Sequence, residues 1–261
     1  MTSPTNENLA VEVRGHVAVV ELAKPPHNFF DLALVKALAD VLEGFDRNPE
    51  VRAVVLGAQG KNFCAGADFG GAANADSAQP RPLPGQIYEE ALRIFSCKKP
   101  IVAAVRGAAI GGGLGLALTA DFRVTCDQAR FSANFTRIGF HPGFGMTVTL
   151  PRLIGINAAE LLFYTGRRIS GTEAVAMGLA NILVDEDLVM PRALELAGEI
   201  AESSPLGVLA TRKTMRRGLV QEIADANRRE LVEQIWLRDS QDFAEGVRAS
   251  NERRKPNFSG R

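Results

Sequence analysis

The chain has 261 residues, 46% of them apolar, enough to bury the core of a full domain. Its 30 basic and 30 acidic side chains cancel, so net charge gives no reason to expect a nucleic-acid partner or a membrane surface. The three cysteines, Cys64, Cys97 and Cys126, are spaced for neither a disulfide framework nor a zinc site, which fits a reduced, cytoplasmic setting.

In chain order, the N-terminal MTSPTNENLA lacks the basic-then-apolar order of a signal peptide. Leu9 to Arg14 and Val17 to Leu22 flank Gly15-His16 and read as a hairpin. Lys24-Pro-Pro-His-Asn-Phe-Phe-Asp31 breaks it, with Asp31 placed to cap a predicted helix from Leu32 to Phe45. A strand beginning at Ala53 leads into the small-residue turn Phe63-Cys64-Ala65-Gly66-Ala67-Asp68, where backbone can face a ligand. Cys64 in this turn reads as an apolar filler rather than a nucleophile. Gly70 to Pro84, rich in Gly, Ala and Pro, reads as one mobile loop, and Gln86 to Cys97 as a helix.

Ile101 to Val105 is a short β-branched run typical of a buried strand, and helix formers follow from Leu114 to Ala120. Arg106 and the glycines interrupt this apolar region, so it is no membrane span. Phe122 to Thr125 and Arg130 to Ser132 are short strand candidates. Helices are then predicted from Gly143 to Leu153, Asn157 to Thr165, Thr172 to Met177 with Thr172 at the cap, Pro191 to Ser203 and Pro205 to Arg216. A long helical segment closes the chain from Gln221 to Arg248. Strands alternating with helices imply an α/β fold with parallel pairing and helical crossovers.

Between the strand at Ile101 and the helix at Leu114 lies Gly111-Gly112-Gly113. A helix entry leaves its first N–H groups without intrahelical partners, and glycine lets another group approach them, which makes an anion site. A phosphate loop would need a lysine and a hydroxyl after the last glycine. A dinucleotide fingerprint would need glycines at the first, third and sixth positions, and neither pattern is present. An oxyanion hole, in which N–H groups face charge developing on a carbonyl oxygen, remains, and the Gly66-Ala67 turn is a second source of such donors.

The two turns, in this order and about 45 residues apart, resemble the crotonase (enoyl-CoA hydratase/isomerase) superfamily. The resemblance extends through Pro25 to Asp31, KPIVAAVRGAAIGGG, Phe131 to Gly145 and Thr165 to Ala180, and so covers nearly the whole chain. It implies a crotonase-like spiral of repeated ββα units over residues 1–200, followed by a C-terminal helical trimerisation region over 201–261. It implies an acyl-CoA thioester as substrate, with coenzyme A part of that substrate and no separate cofactor or metal. The assembly it implies is a homotrimer or a dimer of trimers, with no nucleic-acid or membrane partner.

By the same resemblance, the backbone N–H groups of Ala67 and Gly112 form the oxyanion hole, with Gly111 beside them. Ala65, Gly66 and Asp68 fall where relatives wrap the nucleotide, and His27 and Phe29 where they approach its ribose and phosphates. Lys255 resembles a C-terminal basic residue that reaches a phosphate, sometimes from a neighbouring subunit. Phe135, Pro142 and Gly143 fall in segments that form the acyl pocket, together with Phe69, Phe140 and Phe144, so that pocket is expected to be aromatic and dry.

One departure changes the expected chemistry. Hydratases of the family carry two glutamates that activate water, and the corresponding positions here are Gly115 and Phe135, neither of which transfers a proton. Isomerase, lyase or hydrolase chemistry through a thioester enolate is therefore favoured over hydration, with His141 the first candidate acid/base because imidazole titrates near neutrality. Tyr88, Glu89 and Glu90 form a second candidate group, of which one helix face can present only one or two. The alternative is an acyl-CoA binding or carrier protein that has kept the fold without the reaction.

Overall fold

The computed structural model describes residues 7–67 and 84–261. The predicted Gly70 to Pro84 loop, Asp68 and Phe69 lie outside the described residues, except that Pro84 opens a helix. The hairpin forms as read, with β1 (Leu9–Arg14) antiparallel to β2 (Val17–Leu22). Asp31 caps α1 (Leu32–Arg47), its carboxylate accepting the Leu34 N–H at 2.8 Å and satisfying one orphan donor.

β3 (Ala53–Ala58) is buried along its whole length between β2 and β4 (Ile101–Val105), parallel to both. A parallel strand covered on both faces needs a continuous apolar run, which AVVLGA supplies. β6 (Phe122–Thr125) and β9 (Ile182–Leu183) extend the sheet to six strands in the order β1-β2-β3-β4-β6-β9. On its faces, α2 (Pro84–Phe95) packs on α1, and α7 (Val189–Glu202) lies against β3, β4 and β6.

A second, three-stranded sheet is built from β5 (Ala108–Ile110), β7 (Arg130–Ser132) and β8 (Arg168–Ser170). β4 passes into β5 and then α3 (Gly112–Ala117). β6 passes into β7, a 3-10 turn (Asn134–Ile138) and α4 (Met146–Ile154). Each pass thus gives one strand to each sheet before turning helical, the expected strand-strand-helix spiral. α5 (Ile156–Thr165) precedes β8, and α6 (Gly171–Ala176) follows it.

The small sheet positions the site. Cys64 adds one parallel bridge to its edge at Ala109. Its N–H donates to the Ala108 carbonyl (2.8 Å), and the Ile110 N–H donates to the Cys64 carbonyl (3.1 Å). The turn after Cys64 and the helix after Ile110 therefore leave one sheet edge side by side.

Several boundaries differ from expectation: the helix read from Gly143 begins at Met146, after Gly145 at positive φ, the one read from Pro191 begins at Val189, and that read over Gln86 to Cys97 runs from Pro84 to Phe95. The helix expected at Leu114 begins at Gly112. The cap of α6 is Ser170, which forms a capping box with Glu173, while Thr172 turns its hydroxyl to Asp127 at 2.7 Å. The long Gln221 to Arg248 segment is two helices, α9 (Leu219–Arg238) and α10 (Gln241–Asn251), because the Ser240 hydroxyl accepts the Phe243 N–H at 3.0 Å and starts a new helix.

With α8 (Pro205–Met215), α9 and α10 complete the C-terminal region, which is fastened to the spiral at Asp121. That carboxylate accepts from Arg212 Nε (2.9 Å), Arg216 Nη1 (3.1 Å) and the Ile101 N–H (2.9 Å). None of the three side chains is more than 15% exposed. Asp121→Ala leaves two largely buried guanidinium groups without their counter-charge, an expected loss of about 3–5 kcal/mol. Urea unfolding measures it, and a loss under about 1 kcal/mol would class the cluster with exposed ion pairs. Among the described residues, no helix is long and apolar enough to cross a membrane.

Candidate active site

The glycine triplet is required three times over. Gly111 adopts a positive φ of 55° as it leaves β5, which glycine tolerates best. A Cβ on Gly112 would lie 1.9 Å from Cε1 of the Phe30 ring, and one on Gly113 would lie 2.1 Å from the Cys64 carbonyl oxygen. A Cβ on Gly66 would sit 2.8 Å from the Ile110 carbonyl oxygen and 3.8 Å from the Gly112 nitrogen, so the two turns touch.

The Gly111 N–H is taken by the Ser132 carbonyl at 2.8 Å. Gly112, as the first residue of α3, has an N–H with no intrahelical acceptor. Among the described residues no backbone acceptor meets the Ala67 N–H either. Two main-chain donors thus stand on adjacent turns, an arrangement able to hold a carbonyl oxygen as it gains charge.

A second segment runs along the Ala65–Ala67 turn. The Ala65 N–H donates to the His27 carbonyl (2.9 Å), and the Phe30 N–H donates to the Gly66 carbonyl (3.1 Å). Fully buried Asn28 ties this segment down, donating to the carbonyls of Gln59 (2.8 Å) and Asn62 (2.7 Å) and accepting the Lys24 N–H (2.9 Å). His27 is exposed and pairs with the Phe29 ring at 5.0 Å. Phe30, one residue further on and absent from the sequence-based candidates, is the ring that lies over Gly112.

Aromatic rings also stand around the glycine triplet and the helix it opens. Phe135 brings Cζ to 3.9 Å from where a Gly111 Cβ would stand, and Asn134 brings Oδ1 to 3.2 Å. Phe144 lies on Gly115, with its Cβ, Cδ1 and Cγ 3.0–3.2 Å from a Cβ there, and its ring centroid is 6.0 Å from Phe30 and 6.1 Å from Phe95. Phe140 faces away to pair with Phe243 at 4.8 Å.

Of the helical candidates, Tyr88 alone meets the 141–145 turn, buried and donating its hydroxyl to Gln234 Oε1 at 2.6 Å. Burial pushes its phenol well above the usual range, so it serves as a hydrogen-bond donor. Glu89 is exposed, and Glu90 is paired with Arg93 at 2.5 Å. His141 is half-buried with Nδ1 2.7 Å from the Pro142 carbonyl oxygen. A carbonyl only accepts, so Nδ1 carries the proton and Nε2 of the neutral ring is the basic nitrogen. Burial raises the Glu230 carboxyl above its ordinary value, opposed by the hydrogen bonds it accepts from Thr147 and Gly145.

Gly143 packs against Tyr88 and Gln234, beside Pro142, whose carbonyl also accepts from Gln234 Nε2 at 3.2 Å. Lys255 stays exposed on the C-terminal strap that Glu245 and Asp242 hold against α10, and among the described residues no contact brings it to the glycine triplet. Cys64 is fully buried with its thiol pushed up to about 12 by burial, which fits packing rather than nucleophilic chemistry. Among the described residues, no group of three or more His, Cys, Asp or Glu could hold a metal ion. An apolar groove of about 730 Å³ lies elsewhere, between α4, α7 and α8, and is lined by Phe122, Leu153, Met215 and Leu219.

The spiral of two sheets, with its helical C-terminal region, is a crotonase fold. The chain belongs to the enoyl-CoA hydratase/isomerase family, whose model matches residues 12–261. It is 36% identical over 230 residues to the "Probable enoyl-CoA hydratase EchA14" of Mycobacterium tuberculosis, covering 87% of this chain and 88% of that one. It is 31% identical over 255 residues to the crotonyl-CoA hydratase of Syntrophomonas wolfei, covering 97% and 98%. The crystal structure of an enoyl-CoA hydratase/isomerase from Pseudoalteromonas atlantica superposes with a TM-score of 0.86 at 30% identity, covering 97% of this chain and all of that one.

Proposed function

We propose that the chain binds an acyl-CoA thioester, holds its carbonyl oxygen with the Ala67 and Gly112 N–H groups, and catalyses an enolate reaction of the isomerase, lyase or hydrolase kind rather than two-glutamate hydration. The carrying observation is the seat of the Phe144 ring on Gly115. The ring crowds position 115, where a Cβ would stand 3.1 Å from its Cδ1 and 3.2 Å from its Cγ, and the family's spacing makes Phe135 the residue in place of the second glutamate. Polar groups able to hold and activate a water are replaced by aromatic carbon, and two preorganised donors then act on an enolate in a dry site, where they count for most.

His141, with its basic Nε2, is the proton carrier in this reading. Asp68 and the His27–Phe29 segment belong to the nucleotide end, and Lys255 is a phosphate contact supplied between subunits. The proposed assembly is a trimer or a dimer of trimers, in which association covers exposed apolar side chains such as Leu206 and Met215 of α8.

The test is incubation in deuterated water with saturated, 2-enoyl, 3-enoyl and aryl-containing acyl-CoA thioesters, followed by mass spectrometry. Deuterium uptake or an isomerised or cleaved product is expected, without hydration of the 2-enoyl thioester. Efficient hydration would overturn the reading. Binding of the whole panel with neither exchange nor conversion would replace it with that of an acyl-CoA carrier.

A further inference from the structure

The buried residues of α9 are Leu219, Ile223, Asn227, Glu230 and Gln234, spaced as one helical face. The first two are apolar and the last three are polar, although an apolar face would pack the helix equally well and polar burial is costly unless satisfied. Glu230, 1% exposed, accepts from the Gly145 N–H (2.9 Å), the Thr147 N–H (3.0 Å) and the Thr147 hydroxyl (2.6 Å). Gln234, 2% exposed, donates to the carbonyls of His141 (2.9 Å) and Pro142 (3.2 Å) while accepting from Tyr88.

Both side chains therefore spend their backbone bonds on one short stretch of chain about 90 residues away. The approach is close: a Cβ on Gly143 would fall 2.0 Å from the Tyr88 hydroxyl, and one on Gly145 would fall 2.6 Å from Ile223 Cγ2. Between these glycines Phe144 is held at φ 65°, a conformation that a bulky residue keeps only where its surroundings over-determine it.

We propose that Glu230 and Gln234 are the positioning residues of this site, clamping the His141–Gly145 turn from both ends and so setting where the Phe144 ring and the His141 imidazole stand. The proposal rests on the acyl-CoA reading for its catalytic consequence and on the clamp geometry for its structural one. Neither residue touches the substrate; each acts through the turn.

Gln234→Leu, Glu230→Gln and Tyr88→Phe are compared with the unmodified protein in two measurements. One is steady-state exchange of thioester α-protons, using whichever of the panel thioesters reacts fastest. The other is the nitrogen-15 spectrum of the imidazoles, a small set because the chain has three histidines. In Gln234→Leu, kcat is expected to fall by roughly a hundredfold, the scale of a reacting group misplaced by about an ångström, with KM moving far less. The His141 signals should shift from an Nδ1–H ring toward a mixture of tautomers. Glu230→Gln, which puts an amide donor in place of one of the two oxygens that accept the Gly145 and Thr147 N–H groups, should move both readouts in the same direction. Tyr88→Phe leaves the Gln234 donors in place and should fall between. Unchanged kcat together with unchanged His141 signals in Gln234→Leu would overturn the proposal. Should that variant fail to fold, Glu230→Gln and Tyr88→Phe decide it by the same criteria. If the unmodified protein neither exchanges a thioester proton nor isomerises or cleaves any thioester of the panel, the proposed reaction has failed, and the imidazole spectra still decide the clamp.

Discussion

Installing glutamate at both Gly115 and Phe135 is expected to yield no hydration of a 2-enoyl thioester above that of the unmodified protein. The two substitutions restore the residue types that hydratases of the family use, but not the space for them. A Cβ at position 115 already stands 3.0 Å from Phe144 Cβ and 3.1 Å from its Cδ1, so a glutamate there requires Phe144, which is 2% exposed and packed near Phe30 and Phe95, to give way. Overpacking of this kind costs about 1–3 kcal/mol and turns the carboxylate away from any productive position. Adding Phe144→Gly removes the ring and suits the backbone, since the φ of 65° is one that glycine adopts freely. The triple variant should then hydrate a 2-enoyl thioester at least about a hundredfold faster than the double, the usual scale of general acid/base assistance. Hydration by the double variant alone would show that Phe144 does not occupy the acid/base position.

The elements most legible in the sequence are those specified by neighbours along the chain. Asp31 is a local cap, the β1–β2 hairpin is a local pairing, and Ile101 to Val105 is a strand bounded by Pro100 and Gly107. The glycine triplet was legible for a different reason: three consecutive glycines at a helix entry need an explanation, and close approach supplies it. What escaped depends on pairing across the fold. β5, β8 and β9 have three, three and two residues, too few to carry a period, and exist because distant strands meet them. The break at Ser240 hides within a helical composition that continues on both sides. Phe30 and Phe29 are indistinguishable by type, and only the pairing of residues 27–30 with the Ala65–Ala67 turn decides which ring lies over Gly112. Glu230 and Gln234 read as an ordinary polar helix face until α9 is placed against the 141–145 turn.

Gly112→Ala is expected to lower thioester exchange by about 10²–10³-fold, the cost of losing one oxyanion donor. Alanine is a mild change at most positions, and α-helix propensity would even favour it here. The cost arises because its Cβ would stand 1.9 Å from the Phe30 ring, so either that ring or the start of α3 must move, and the second turns the Gly112 N–H out of line with that of Ala67. Removing the obstacle distinguishes misaligned backbone from general damage. In Gly112→Ala combined with Phe30→Ala the new methyl has room, α3 can return to its place, and most of the lost exchange should be recovered even though a second substitution has been made. Phe30→Ala alone provides the reference for the loss of the ring itself. Such recovery is the non-additivity expected of two groups in direct contact. Full exchange by Gly112→Ala would show that the N–H at that position is dispensable. A double variant no better than Gly112→Ala would place the damage outside the contact between Gly112 and Phe30.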